Sequence, residues 1–263
     1  MITPRISIQT RSLRSPLRAA LPQAAAIGAD GVEIDARNEL QIADFSQTAM
    51  RQFKRLLEDH RLQVAAVAFP TRRGLDDPED LERRLLALRE AMEFAYRVGA
   101  RVLTYRLGDA LPEAAEEESE SAQRATLLES LNVLALHGER VGARLAIASG
   151  TSPEAQDQLL RALPEATVGI DLDPALLISA SHNPSEAAQR LGHAALHVRA
   201  NDAVRETGGR AQETALGRGE ADLPEVLAAL EEHGYQGWLT AERREGSDPA
   251  GDLANAVAYL RAL

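Results

Sequence analysis

In Trp238-Leu239-Thr240-Ala241-Glu242, Leu239 and Ala241 share one face of an extended run, while Thr240 and Glu242 share the other. A carboxylate therefore closes a strand on its polar side. The same parity recurs along the chain, in Gln9, in Glu33 and Asp35, in Asp171 and Asp173, and in His197, Arg199 and Asn201, with Arg106 on the polar side of another strand. The opposite parity is apolar: Ile6/Ile8, Val32/Ile34, Leu145/Ile147, Val168/Ile170/Leu172, Leu196/Val198 and Leu239/Ala241. Asp171, Asp173 and Glu242 gathered in one lumen would raise each other's pKa values unless a cation compensates them. Arg199 supplies a cation that pairs bidentately with carboxylates.

Alternation between short apolar runs and helical spacing is what brings these residues together. The strands read as Ile6–Thr10, Val32–Ala36, Gln63–Phe69, Arg101–Leu107, Arg144–Ser149, Val168–Asp173, Ala195–Asn201 and Trp238–Glu242. Helices fall near 16–28, 47–60, 78–98, 120–142, 153–163, 184–192, 222–233 and 251–262. Ser15-Pro16, Asp77-Pro78, Ser152-Pro153 and Asn183-Pro184 are cap-then-proline openings for several of them. Strand-helix repetition of this kind specifies a parallel sheet, and eight repeats specify an α/β chain folded as one (β/α)8 TIM barrel over residues 1–263. An open doubly wound sheet is the competing architecture, but no Gly-x-Gly-x-x-Gly follows the first strand. In a barrel, loops beyond the strand C-termini build the pocket, which places Glu242 at its rim.

Composition removes several chemistries. The chain has no cysteine, so thiol nucleophiles, cysteine-ligated zinc, iron–sulfur clusters and disulfides are excluded. Its single lysine, Lys54, falls in an outer helix, which leaves no pocket lysine for a Schiff base. With 29 basic and 40 acidic residues the net charge is −11, a balance that disfavours nucleic acid as a partner. No apolar run of roughly 18 residues and no hydrophobic leader is present, so the expectation is a cytoplasmic protein with no membrane association. A homo-oligomer is compatible with the sequence.

The second half resembles the xylose isomerase-like TIM-barrel family of sugar isomerases and epimerases. The segments that carry the likeness are Leu145-Ala146-Ile147-Ala148-Ser149-Gly150, Gly169-Ile170-Asp171-Leu172-Asp173-Pro174 and His197-Val198-Arg199-Ala200-Asn201-Asp202. They are followed by Gly217-Arg218-Gly219 and by Gly234-Tyr235-Gln236-Gly237-Trp238-Leu239-Thr240-Ala241-Glu242. Such barrels hold a divalent ion with Glu, Asp, His and Glu from strands five to eight. In this chain those positions read Ala148, Asp173, Arg199 and Glu242. Two carboxylates make a weak site for a hard divalent ion, and Arg199 sets a permanent cation where the ion's charge belongs. The resemblance therefore implies no metal cofactor, with a residual divalent site through Asp173 and Glu242 as the alternative. Arg199 either replaces the ion structurally or joins Arg106 in binding an acidic group of the ligand.

The function implied is a sugar isomerase or epimerase-like activity on a small carbohydrate or sugar acid, by proton transfer next to a carbonyl. Glu242 would be the general base and Asp173 its acid or orienting partner. Arg199, Arg106, Asp171, Asn201 and His182 are the substrate-binding candidates, His182 because its loop follows the sixth strand. A non-catalytic carbohydrate-binding or regulatory descendant is the competing class. Apurinic-site endonucleases share the fold but need lumen histidines for zinc and a basic rim, and only His197 has lumen parity here. His60 and His233 close helices, where the dipole favours them without function, and His137 reads as a packing residue. Asp173-Pro174 reads equally as a site residue or as turn chemistry alone, Glu113–Glu120 as a solvated loop, and Arg205–Arg210 as a glycine-rich loop over the mouth.

Overall fold

The computed structural model describes residues 4–107, 118–163, 168–206 and 211–263. Eight strands close a parallel barrel: β1 (Arg5–Gln9), β2 (Gly31–Asp35), β3 (Gln63–Ala68), β4 (Val102–Arg106), β5 (Arg144–Ala148), β6 (Val168–Leu172), β7 (Ala195–Ala200) and β10 (Trp238–Ala241). β10 pairs with β1 and β7, so no edge is left open. A separate antiparallel hairpin, β8 (Asp202–Arg205) with β9 (Ala211–Thr214), leaves the barrel beyond β7. The helices are α1 (Leu17–Ile27), α2 (Gln47–Asp59), α3 (Leu81–Val98), α4 (Glu118–Val141), α5 (Pro153–Ala162), α6 (Pro174–Ser179), α7 (Pro184–Leu191), α8 (Leu223–Glu232) and α9 (Pro249–Ala262).

The apolar parity of the strands packs against this helical ring. Ile6, Ile8, Val32, Ile34, Leu145, Ile147, Ile170, Leu172 and Val198 belong to one core with Leu21, Phe94, Leu131, Leu191 and Leu260 from the helices. Helix starts follow side-chain caps, since Ser152 accepts from Ala155 N–H and Asn183 accepts from Ser185 N–H. Asp77-Pro78 departs from the cap expectation. α3 begins only at Leu81, because Asp77 is taken up by an ion pair with Arg73 and by Glu79 N–H. At the start of α1, Pro16 itself occupies the cap position without a side-chain bond.

Leu196 breaks the parity rule. A bulge opposite Ile170 and Asp171 turns this side chain into the barrel floor, where it packs on Ala66, Val102 and Ala146. Gly169 makes room for it, since a Cβ there would lie 2.3 Å from the Leu196 side chain. The bulge leaves His197, Arg199 and Asn201 in step with Asp171 and Asp173.

Asp173-Pro174 is not a turn. Asp173 caps α6, accepting from Leu176 N–H at 3.1 Å, and Pro174 takes the first helical position. α6 packs on the hairpin through Ile178, Ala203, Ala221, Ala175 and Ala211, walling the mouth beyond β6 and β7. Asp202 fixes the return from the hairpin by accepting from the backbone N–H groups of Gly217, Gly219 and Ala221. The stretches 108–117 and 207–210, which contain most of the acidic run and of the glycine-rich loop, lie outside the described residues.

Candidate active site

Arg199 rises from β7 into the middle of the lumen, and all three of its guanidinium nitrogens meet carboxylates. Nε donates to Asp171 Oδ2 at 2.9 Å, and Nη1 donates to Glu242 Oε2 at 2.9 Å. Glu33 is held bidentately, with Nη1 at 3.1 Å from Oε2 and Nη2 at 3.0 Å from Oε1. Asp173 Oδ2 lies 3.9 Å from Nε. The strands set this convergence, because β2, β6, β7 and β10 each deliver a residue of lumen parity to one level.

Further polar side chains tie off the remaining lone pairs. Gln9 Nε2 and Thr104 Oγ1 donate to Glu33 at 3.0 Å and 2.7 Å. His197 Nδ1 lies 2.7 Å from Asp171 Oδ1, its Nε2 lies 2.6 Å from Thr240 Oγ1, and Thr240 lies 2.6 Å from Ser7 Oγ. That chain runs down the lumen with every member buried. Above it, Arg106 Nη2 donates to Asp173 Oδ2 at 2.6 Å, Asn201 Nδ2 donates to Asp173 Oδ1 at 2.9 Å, and Arg244 Nε donates to Glu242 Oε1.

Charge pairing decides protonation here. Burial pushes the Asp173 carboxyl upward, but Arg106 and then Arg199 outweigh it and bring its pKa down to about 2. Burial likewise opposes ionisation of Glu33 and Asp171, and Arg199 followed by His197 holds both below their ordinary values. Burial disfavours the Arg199 cation, yet Asp171, Glu33 and Glu242 together raise its pKa well above the usual guanidinium value.

The mouth opens as a cavity of about 510 Å³ reaching Thr104, Asp171, Arg199 and Glu242, with Arg11, Arg106 and Arg244 at its walls. A smaller one of about 180 Å³ lies against α6 and the hairpin and also touches Asp173, Asn201 and Glu242. Glu242, Asp173, Arg199, Arg106, Asp171 and Asn201 thus converge on one place. His182 does not line the mouth, because α6, unforeseen in the sequence, comes between it and β6 and puts it in the turn before α7. Glu33, marked in the sequence by its lumen parity but not as a site residue, and Arg244, which the sequence does not mark, are central partners here. Glu33 pairs with Gln9 of β1, which is also of lumen parity, whereas Arg244 lies past the end of β10, two residues beyond Glu242.

The donor set does not fit a divalent ion. Both oxygens of Asp173 and both of Glu242 already accept N–H groups, from Leu176, Asn201, Arg106, Arg244 and Arg199. Ala148 offers no ligand atom, and the Arg199 guanidinium would face any ion placed between the two carboxylates. Among the described residues no group of three or more His, Cys, Asp or Glu side chains is arranged to hold a metal.

A closed eight-stranded parallel barrel with its polar residues gathered at the C-terminal mouth defines a (β/α)8 protein with a polar cavity at that mouth. Residues 21–263 match the family model of the xylose isomerase-like TIM barrel, and the chain belongs to that family. No protein of curated function matches the sequence. A xylose isomerase domain protein from Planctomyces limnophilus shares 22% identity over 99% of this chain and 97% of its own, with a TM-score of 0.83. A xylose isomerase-like TIM-barrel protein from Mycobacterium smegmatis, solved in complex with magnesium, shares 19% identity over 98% and 95%, with a TM-score of 0.78. A 3-keto-D-glucoside 4-epimerase from E. coli shares 17% identity over the full length of both chains, with a TM-score of 0.76. Among the described residues no helix is long and apolar enough to cross a membrane.

Proposed function

We propose that this barrel is a sugar isomerase or epimerase-type enzyme acting on a small carbohydrate or sugar acid, with guanidinium charge in place of a divalent ion. The observation that carries the reading is Glu242, on the mouth at the end of β10, with Oε2 fixed by buried Arg199 and Oε1 covered by the side chain of Arg244. A ligand that draws Arg244 aside meets Oε1 of a positioned carboxylate, the arrangement a general base requires. The base takes a proton from the carbon next to the ligand's carbonyl, and arginine N–H groups at the mouth stabilise the oxygen on which charge develops. Asp173 serves as the orienting group. Held at a pKa of about 2, it carries no proton to donate near neutrality, and it pins Arg106 and Asn201 at the rim.

The structural likeness to a 3-keto-D-glucoside 4-epimerase supports the class, and at 17% identity it assigns no substrate. A second reading, a carbohydrate-binding or regulatory descendant without turnover, draws on one specific feature. Every oxygen of Glu242 and Asp173 is occupied within the protein.

The test is proton exchange. Ketoses, aldoses and sugar acids incubated with the protein in D2O are expected to exchange the hydrogen next to the carbonyl, followed by NMR. Glu242→Gln should slow that exchange by about 10²-fold or more. Exhaustive dialysis against EDTA should leave the rate unchanged. Exchange undiminished in Glu242→Gln would remove Glu242 as the base. A stoichiometric manganese or zinc signal that is lost in Glu242→Ala would overturn the metal-independent mechanism.

A further inference from the structure

The mouth is organised in two layers of opposite charge. The lower layer is carboxylate, with the side chains of Asp35, Asp173 and Glu242 exposed by 5%, 2% and 1%. The upper layer is guanidinium. Arg11, Arg106 and Arg244 each give one nitrogen to the acid beneath, yet their side chains are 51%, 38% and 48% exposed. Each acid thus anchors an arginine by one N–H group while the rest of the fork reaches solvent. Arg14, also exposed, donates to the Arg244 carbonyl and pairs with no carboxylate among the described residues.

This collar is cationic on a molecule whose net charge is −11. Arg106 and Arg244 line both the larger and the smaller cavity. Arg199 cannot serve a ligand in the same way, since its nitrogens are spent on Glu33, Asp171 and Glu242. A neutral sugar would gain little from several half-exposed guanidinium forks. A planar or tetrahedral oxyanion gains charge-assisted, paired hydrogen bonds from them.

Resting on the reading of this mouth as a sugar site, we infer that the ligand carries an oxyanion, a carboxylate or a phosphate, seated between Arg106 and Arg244 with Arg14 on the rim. Arg106 and Arg244 then act as specificity determinants. Taking the anion also draws Arg244 off Glu242 Oε1, which couples recognition of the charged group to access to the carboxylate.

The experiment is calorimetric titration of the purified protein with D-gluconate, D-glucose 6-phosphate, D-fructose, acetate and inorganic phosphate. At least one charged sugar should bind about tenfold or more tightly than fructose, and weaken as salt is raised. The gluconate and glucose 6-phosphate arms decide between carboxylate and phosphate. Arg106→Gln and Arg244→Gln should each weaken the charged ligand about tenfold more than they weaken fructose. Because those two substitutions also unpair buried acids, Arg14→Gln provides the arm that does not disturb folding, with a loss of about twofold to fivefold expected. Equal binding of fructose and the charged sugars, or full affinity in all three folded variants, would overturn the anion seat and leave the sugar reading intact. Binding of acetate or phosphate as tight as that of any sugar, lost in the arginine variants, would uphold the seat and sink the sugar reading. No binding of any charged compound would overturn the inference.

Discussion

Arg199 is buried among four acids, and its worth to the fold is the cost of leaving those acids without it. Glu33, Asp171 and Glu242 lie within 3.1 Å of its nitrogens and Asp173 within 3.9 Å. Removing one partner of such a cluster strands uncompensated charge, typically costing about 3–5 kcal/mol. Arg199→Met, similar in length and apolar, is therefore expected to lower the melting temperature on the order of 10 °C. Thermal unfolding followed by circular dichroism measures it, and a shift within about 2 °C would show that the acids simply protonate at little cost. The presence of compensating charge was readable from the polar parity of Asp171, Asp173, Arg199 and Glu242. The identity of the full set was not. Glu33 shows lumen parity, but it stands well over a hundred residues from Arg199, and its pairing with that guanidinium appears only when closure of β1 onto β10 brings β2 round. Arg244 was hidden differently, since a residue past a strand end has no parity to betray where its side chain goes.

Each barrel strand lies within a residue or two of its expected bounds, because short apolar-rich runs between stretches of helical spacing are displayed by local sequence. What local sequence does not display is the structure beyond the strand ends. α6 is only six residues long, too short for helical periodicity to register, and its start at Asp173-Pro174 uses the same residue types as a turn. The bulge that turns Leu196 inward is likewise invisible, since Leu suits either face. The hairpin β8–β9 depends on Asp202, which is buried and receives the N–H groups of Ala203, Gly217, Gly219 and Ala221. Asp202→Ala would leave those donors without an acceptor, at a cost of about 2 kcal/mol or more. Amide hydrogen exchange across 217–221 should speed up sharply in this variant while exchange in the barrel strands changes little. Unchanged protection of those amides would mean that the hairpin and α6 hold the loop without Asp202.

The molecule as a whole places its acids in two settings, and the difference shows in how stability depends on pH. Among the described residues, most of the acids outside the lumen are partly or fully exposed. In the lumen, arginine holds Glu33, Asp171 and Asp173 ionised against the pull of burial. A carboxylate whose folded-state pKa is depressed contributes stability that is complete above its unfolded value and is lost as pH falls through the folded one. For Asp173, moving from 3.8 to about 2 corresponds to about 2 kcal/mol, and Glu33 and Asp171 add in the same direction. Glu39 and Glu213, raised by burial, act with the opposite sign, since their contribution is present at low pH and fades as pH rises. They are only partly buried, each keeps hydrogen-bond donors, and neither belongs to the Arg199 cluster. The lumen acids should therefore dominate. Urea unfolding at intervals between pH 7 and about pH 2 is expected to show near-constant stability down to about pH 4.5, then a steep decline toward the acid end. In Arg199→Met the decline should be shallower and the wild-type margin above pH 5 should be missing, because the acids no longer have a cation to hold them ionised. A wild-type profile that stays flat through pH 3, or one identical in the two proteins, would mean that the lumen charges are not coupled to folding as their geometry requires.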